Sequence, residues 1–206
     1  MPFTQLNDRA LISVSGPDAE HFLQNILTTD LETLPHGDAK PGALLSPQGK
    51  ILFDFLISRA GDNGFGLDCR ADTADDFVRR LMLYRLRAKA EIAKQDQVVV
   101  TVAWGDDSTP SSSDSTALAD TRFRDAAVRR AYGGDAFPHD VLLDETGGVG
   151  FKKGCYIGQE VVSRMQHRGT ARRRVLIVSA DGPLPASGTE LTVAGRPVGA
   201  LGSVSG

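Results

Sequence analysis

Between Ala43 and Arg59 the chain reads ALLSPQGKILFDFLISR, two apolar β-type runs on either side of a Pro-Gln-Gly turn. Strands joined this tightly run antiparallel, because a parallel pair needs a crossover of about a dozen residues or more. The same constraint recurs along the first half. RALISVSG (Arg9–Gly16) is a β-rich run ended by a turn, GFGLDC is another short strand, and KAEIAKQDQVVVTVAW returns to strands after a helix. Two stretches carry the helical period instead. In GPDAEHFLQNIL, Pro17 suits a first turn, and Phe22, Leu23, Ile26 and Leu27 form an apolar face. In ADTADDFVRRLMLYRLRAKAEI, Asp72 or Thr73 caps a helix whose apolar positions are Phe77, Leu81, Leu83 and Tyr84. Short antiparallel pairs alternating with helices predict an α+β fold rather than a doubly wound parallel sheet.

The organisation changes after residue 104. GDDSTPSSSDSTALAD (Gly105–Asp120) holds five serines and four aspartates, and reads as a mobile surface loop or linker. A short basic segment (Thr121–Tyr132) and a Gly/Pro-rich stretch (Gly133–His139) follow. RRRVLIVSA, TELTVAG and RPVGALGSVSG read as strands of a small β-barrel or sandwich. The expected divisions are an N-terminal α+β domain over 1–104, the loop over 105–120, a second α+β piece over 121–170, and a β-barrel over 171–206.

Composition excludes several classes. With 41% apolar and 24% charged residues, 206 residues support a real core. A net charge of −3 gives no global sign of nucleic-acid binding. Cys69 and Cys155 are 86 positions apart, so there is neither a disulfide framework nor a C-x-x-C pattern. No segment resembles a signal peptide or a membrane span. The expectation is a reduced, cytoplasmic protein with no nucleic-acid or membrane partner and no stably bound metal.

Charge is uneven. Residues 152–174 carry Lys152, Lys153, Arg164, Arg168, Arg172, Arg173 and Arg174 against Glu160, which is +7 − 1 = +6 and leaves −9 elsewhere. The triple arginine alone reads as an ion-paired or solvated strand start; the whole island reads as a site for an anionic ligand. Within it lies FKKGCYIGQE (Phe151–Glu160). Cys155 stands just before a helical pattern with Val161, Val162 and Met165 as its apolar stripe. Lysines and a helix N-terminus favour a thiolate. A small residue in a tight turn is the competing reading, and chemistry alone leaves the two balanced. Glu160 and Arg164 share a helix face and can pair, or can face a ligand with Lys153. Gly154 and Gly158 suggest close backbone approach or positive φ. His139 and His167 are bases for the thiol only by proximity, and Cys69 belongs to the core.

KGCYIGQEVVSR, Lys153 to Arg164, resembles the signature of the YgfZ family, folate-binding relatives of the glycine-cleavage T-protein that include mitochondrial assembly factors for iron–sulfur proteins. FLQNILTTDL, LLSPQGKILFDFLI, FPHDVLLDETGGVGFKKG and HRGTARRR are similar to other landmarks of that family. The resemblance implies a ferredoxin-like α+β body around a central folate-sized hole, with a C-terminal β-barrel. It implies a tetrahydrofolate ligand, with Lys153, Tyr84, Glu160 and Arg164 as binding residues and Cys155 as the functional thiol. It implies iron–sulfur carrier or client proteins as partners. Relatives place a helical segment where AYGGDAF nearly joins two regions here, and a barrel would run one strand past Gly206, so the barrel is expected to be incomplete. The T-protein has two consecutive aspartates where this chain has Phe53-Asp54, so its acid–base group is in question. Asp54 reads as a strand residue facing solvent or pairing with an arginine. Three readings follow: a folate-binding accessory factor in iron–sulfur assembly or repair, a tetrahydrofolate-dependent aminomethyltransferase, and a thiol-based redox enzyme.

Overall fold

In this computed structural model the described residues are 3–96, 98, 100–103, 135–176 and 178–202. The Ser/Asp-rich loop and the basic segment Thr121–Tyr132 lie outside them.

The body is a five-stranded antiparallel sheet built from β2 (Arg9–Ser15), β3 (Ala39–Leu45), β4 (Ile51–Arg59), β5 (Gly64–Arg70) and β6 (Glu91–Gln95), in the order β3-β4-β5-β2-β6. Helix α1 (Ala19–Gln24) follows β2, and α2 (Ala74–Arg85) stands between β5 and β6. With β3 set aside as an added edge strand, the chain order is β-α-β-β-α-β, and β5 lies between β2 and β4. That is the split β-α-β arrangement of ferredoxin-like sheets. Strand β1 (Phe3–Leu6) pairs separately with β7 (Val100–Ala103).

Alternation explains which face is covered. Ile12, Val14, Phe55, Ile57, Phe65 and Leu67 point into one buried cluster with Phe77 and Leu81 of α2. Phe53 joins it by stacking on Phe77, with ring centroids 4.7 Å apart, and Phe55 stacks on Phe77 at 5.4 Å. Cys69 is buried in the same cluster, which pushes its thiol up to about 12. On the opposite face Asp68 is buried against Arg9, whose Nε donates to it at 2.8 Å; burial still raises the carboxyl, with Arg9 opposing the shift.

One side chain ties the far part of the connection from α1 to β3 back to the sheet. Arg59 donates bidentately to Glu20 at 2.9 and 3.0 Å, and donates to the carbonyls of Leu31 and Leu34, each at 2.7 Å. The guanidinium holds the Glu20 carboxyl below its usual range. Gly16 is required where β2 turns into α1: its φ is +125, and a Cβ there would sit 2.5 Å from the Lys89 carbonyl oxygen.

Leu83, one of the apolar positions of α2, is exposed, because 100° per residue carries it away from the side of Phe77 and Leu81. Of the incomplete barrel expected over 171–206, the described residues show one hairpin, β8 (Glu190–Val193) with β9 (Arg196–Ala200). Its turn fits the twisted two-residue type, with φ of +51 at Ala194 and +74 at Gly195. Over 172–180, expected as a strand, the described residues form none. The Val175 N–H goes to the Asp140 carbonyl at 3.2 Å instead of to a ladder neighbour.

Candidate functional site

The segment from Asp135 onward builds a second, smaller core on the β3–β4 side. Ala43, Leu45 and Ile51 from the sheet meet Leu143, Tyr156 and Val162. The 3₁₀ turn Pro138–Val141 leads into it, and α3 (Gln159–Arg168) leaves it. Helix α3 buries Val162 and Met165. Val161 is only part-buried, since its stem lies over the β3–β4 turn.

Cys155 sits on the arch between these pieces, and three clamps fix that arch. The first is Lys153. Its side chain turns inward, and Nζ donates to the carbonyls of Leu27 at 2.9 Å and Thr29 at 2.8 Å. Burial pushes this ammonium down to about 8 from an ordinary value of 10.5, with Asp30 and Glu32 opposing the shift. The second clamp is Tyr156, buried in the smaller core, its phenol pushed up to about 12 by burial. Lys153 Nζ also lies 5.3 Å from the Tyr156 ring centroid. The third is Gly158, with φ of +79. A Cβ there would stand 2.7 Å from the Ser46 carbonyl oxygen and 3.1 Å from Gly49 Cα. Two glycines therefore let the start of α3 touch the tip of the β3–β4 turn. Between the clamps the Cys155 thiol is exposed.

Thr28 closes the junction beneath. Its hydroxyl donates to the Gly148 carbonyl at 2.7 Å and accepts from the Ala43 N–H at 2.9 Å. Its carbonyl accepts from the Gly150 N–H at 2.8 Å. Thr28, Thr29, Gly49 and Tyr156 are thus site-building residues that sequence reasoning did not single out. The signal available was a Thr-Thr pair inside the apolar run ILTTDL.

The other expected site residues are distributed differently. Glu160 and Arg164 pair with each other at 2.5 Å on exposed surface. Tyr84 is part-buried against the larger core, as are Phe53 and Ile157. Gly154 has open space around a would-be Cβ and no positive φ, so the close approach expected there is absent. His139 is buried and its Nε2 lies 3.1 Å from Gln166 Oε1, so that nitrogen bonds to α3. The charge island is compensated in part: Arg173 bonds to Asp140 at 3.1 Å, and Arg174 meets Asp144 at 2.7 Å. Lys152, Arg168 and Arg172 have no carboxylate partner among the described residues. Those residues contain no group of three or more His, Cys, Asp or Glu able to hold a metal, and no helix among them is long and apolar enough to cross a membrane.

The family model of the GCVT N-terminal domain matches residues 6–109, and that of the CAF17 C-terminal beta-barrel domain matches residues 172–206. The mitochondrial iron-sulfur cluster assembly factor IBA57 homolog of Pyricularia oryzae is 32% identical, over 84% of this chain and 56% of that protein. Human mitochondrial iron-sulfur cluster assembly factor IBA57 is 28% identical, over 95% of this chain and 72% of that protein. The tRNA-modifying protein YgfZ of Klebsiella pneumoniae is 27% identical, over 90% and 74% respectively. The chain spans 55–58% of the length of the fungal relatives that head the comparison.

Two measurements check the geometry. A chromogenic disulfide reagent should modify Cys155 rapidly in the native protein and Cys69 only after denaturation; two fast thiols would contradict the packing of β5. The second concerns Lys153. A lysine lowered by folding leaves the folded state with fewer protons than the unfolded chain between about pH 8 and 10.5. Stability in wild type relative to Lys153→Met should therefore rise with pH across that window. Denaturant melts of both proteins at stepped pH read the difference directly, and a flat difference would mean the ammonium is not desolvated.

Proposed function

Because this chain belongs to the family of the GCVT N-terminal domain, with IBA57 and YgfZ proteins among its relatives, we propose that it is a folate-binding accessory factor in the assembly or repair of iron–sulfur proteins, with Cys155 as its working thiol. The observation that carries this reading is the clamped arch. An exposed cysteine on a loop fixed by a buried lysine, a buried tyrosine and a glycine contact is presented to a partner rather than packed away. Such a thiol suits a reducing compartment, and the proposal places the protein in the cytoplasm.

A single thiolate cannot hold a cluster that needs four. The cluster is therefore cargo, and the remaining thiolates come from an iron–sulfur carrier or client protein docked over Cys155. In this reading the chain's own residues fix the position of one sulfur and leave its approach open.

Tetrahydrofolate fits the chemistry of the surroundings. Tyr84 and Phe53 offer part-exposed rings at the edge of the larger core, suited to a flat pteridine. Lys152, Arg168 and Arg172, which have no carboxylate partner among the described residues, are cations suited to a glutamate tail. Glu160 and Arg164 would exchange their mutual pair for ligand groups, whereas Lys153 would act from beneath through its carbonyl contacts. Aminomethyl transfer is the weaker alternative. The ring of Phe53 occupies a position where that reaction has a carboxylate, and it is spent on stacking against Phe77. A thiol-based redox enzyme is the third reading, and folate binding separates it from the other two.

Calorimetry with tetrahydrofolate at low salt should give saturable heat that weakens as salt is raised; no heat at low salt would sink the folate assignment. Cys155→Ala should fold with an unchanged melting curve and fail to complement a strain lacking its own member of the family. Full complementation by the alanine variant would make the thiol dispensable and remove the centre of the proposal.

A further inference from the structure

Helix α2 carries a surface that neither the thiol arch nor the folate reading uses. Met82, Leu83 and Leu86 are 48%, 67% and 86% exposed. At 100° per residue Met82 and Leu83 share the outer side of the helix with Arg79, opposite Phe77 and Leu81, and Leu86 follows directly at the end of the helix. Three neighbouring apolar side chains on one helix end are more than the scattered single exposures normal for a soluble surface.

The backbone at Leu86 sharpens the point. Its φ is +46, where the helix ends. Glycine is the ordinary residue for such a terminus, and a leucine there is strained. The chain thus holds a large apolar side chain in an unfavourable backbone conformation and projects it into water. Strain of this kind persists where the side chain itself is needed.

Charge then selects the occupant. The carboxylates of α2 are already engaged: Asp75 with Lys94, and Asp76 with Arg79. Arg80 and Arg87, beside the apolar strip, have no carboxylate partner among the described residues. The strip is therefore flanked by cations that have no carboxylate partner among the described residues, in a chain whose net charge is −3.

We propose that the outer face of α2, centred on Leu83 and Leu86, is a docking surface for an acidic amphipathic helix of a partner protein. Apolar residues of that helix at i, i+3 and i+4 would cover Met82, Leu83 and Leu86, while its carboxylates would meet Arg80 and Arg87. An anionic membrane fits less well, because at the start of α2 Arg70, Lys94 and Arg79 are matched by Asp72, Asp75 and Asp76 and leave no excess positive charge there to hold headgroups. A second copy fits less well, because pairing α2 with itself leaves Arg80 and Arg87 without acceptors. The proposal is independent of the function proposed above.

The test uses the full chain and a labelled synthetic peptide with leucines at helical spacing among glutamates, read by fluorescence anisotropy. A matched peptide with lysines in place of the glutamates is the control. The glutamate peptide should bind and the lysine peptide should not. Affinity should fall on the order of tenfold in Leu83→Ser/Leu86→Ser and in Arg80→Glu/Arg87→Glu, and should fall with salt. Leu86→Gly should match or exceed wild type in thermal stability, because glycine relieves the strained φ, and yet bind the peptide more weakly. Absence of binding at low salt, equal binding by the variants, or equal binding of both peptides would overturn the proposal. So would flotation with phosphatidylserine vesicles that depends on Leu83 and Leu86, or a dimer in sedimentation that Leu83→Ser dissolves.

Discussion

The backbone between Leu27 and Thr29 is where the two parts of the structure meet. It leaves a short α-helix for a sheet edge, and such a passage carries polar groups without partners of their own. Here they are satisfied across a sequence distance of more than a hundred residues. The Thr28 hydroxyl joins Gly148 to Ala43, the Thr28 carbonyl takes the Gly150 N–H, and the Lys153 ammonium caps the carbonyls of Leu27 and Thr29. A buried acceptor left bare costs about 1–3 kcal/mol, so removing the later segment would leave several such costs at once. The junction is therefore mutual: the sheet positions the arch, and the arch completes the sheet's edge.

Energetically the lysine is the less obvious part of this junction. Taking an ammonium out of water costs several kcal/mol, and the depressed titration of Lys153 reflects that cost. Hydrogen bonds from a charged donor contribute about 1.5–3 kcal/mol each, so two carbonyl acceptors and an aromatic face offset the cost without a direct carboxylate partner. A methionine of similar length would avoid the desolvation but strand both carbonyls. The position thus favours a donor of reach and flexibility, which accounts for a lysine beside a thiol without any need for it to touch a ligand.

The sheet was legible because its signals are local. Tight turns between apolar runs dictated antiparallel pairing, and period-2 alternation in ILFDFLIS matches the buried Phe55 and Ile57. The arch was legible only as a motif. That Gly158 needed a positive φ could be read, but that its partner would be Gly49 could not, since nothing local links positions a hundred apart. The charge island was legible only in part, for a related reason. Its arginines were counted without Asp140 and Asp144, which lie thirty-odd residues earlier and turn back toward them. Leu83 is as apolar as the core residues of α2, yet the helical angle turns it to solvent.

The smaller core has a temporal consequence. Its sheet-side members, Ala43, Leu45 and Ile51, belong to strands that pair with near neighbours in sequence, whereas Tyr156 and Val162 join from more than a hundred positions further along the chain. Closing such a loop is entropically costly until a surface exists to receive it. The hairpin of β3 and β4 can form early, and the arch docks late. A nascent or misfolded chain would therefore carry Cys155 on a loose strand with no fixed direction, and the sulfur would acquire its address only when the rest of the molecule had finished folding.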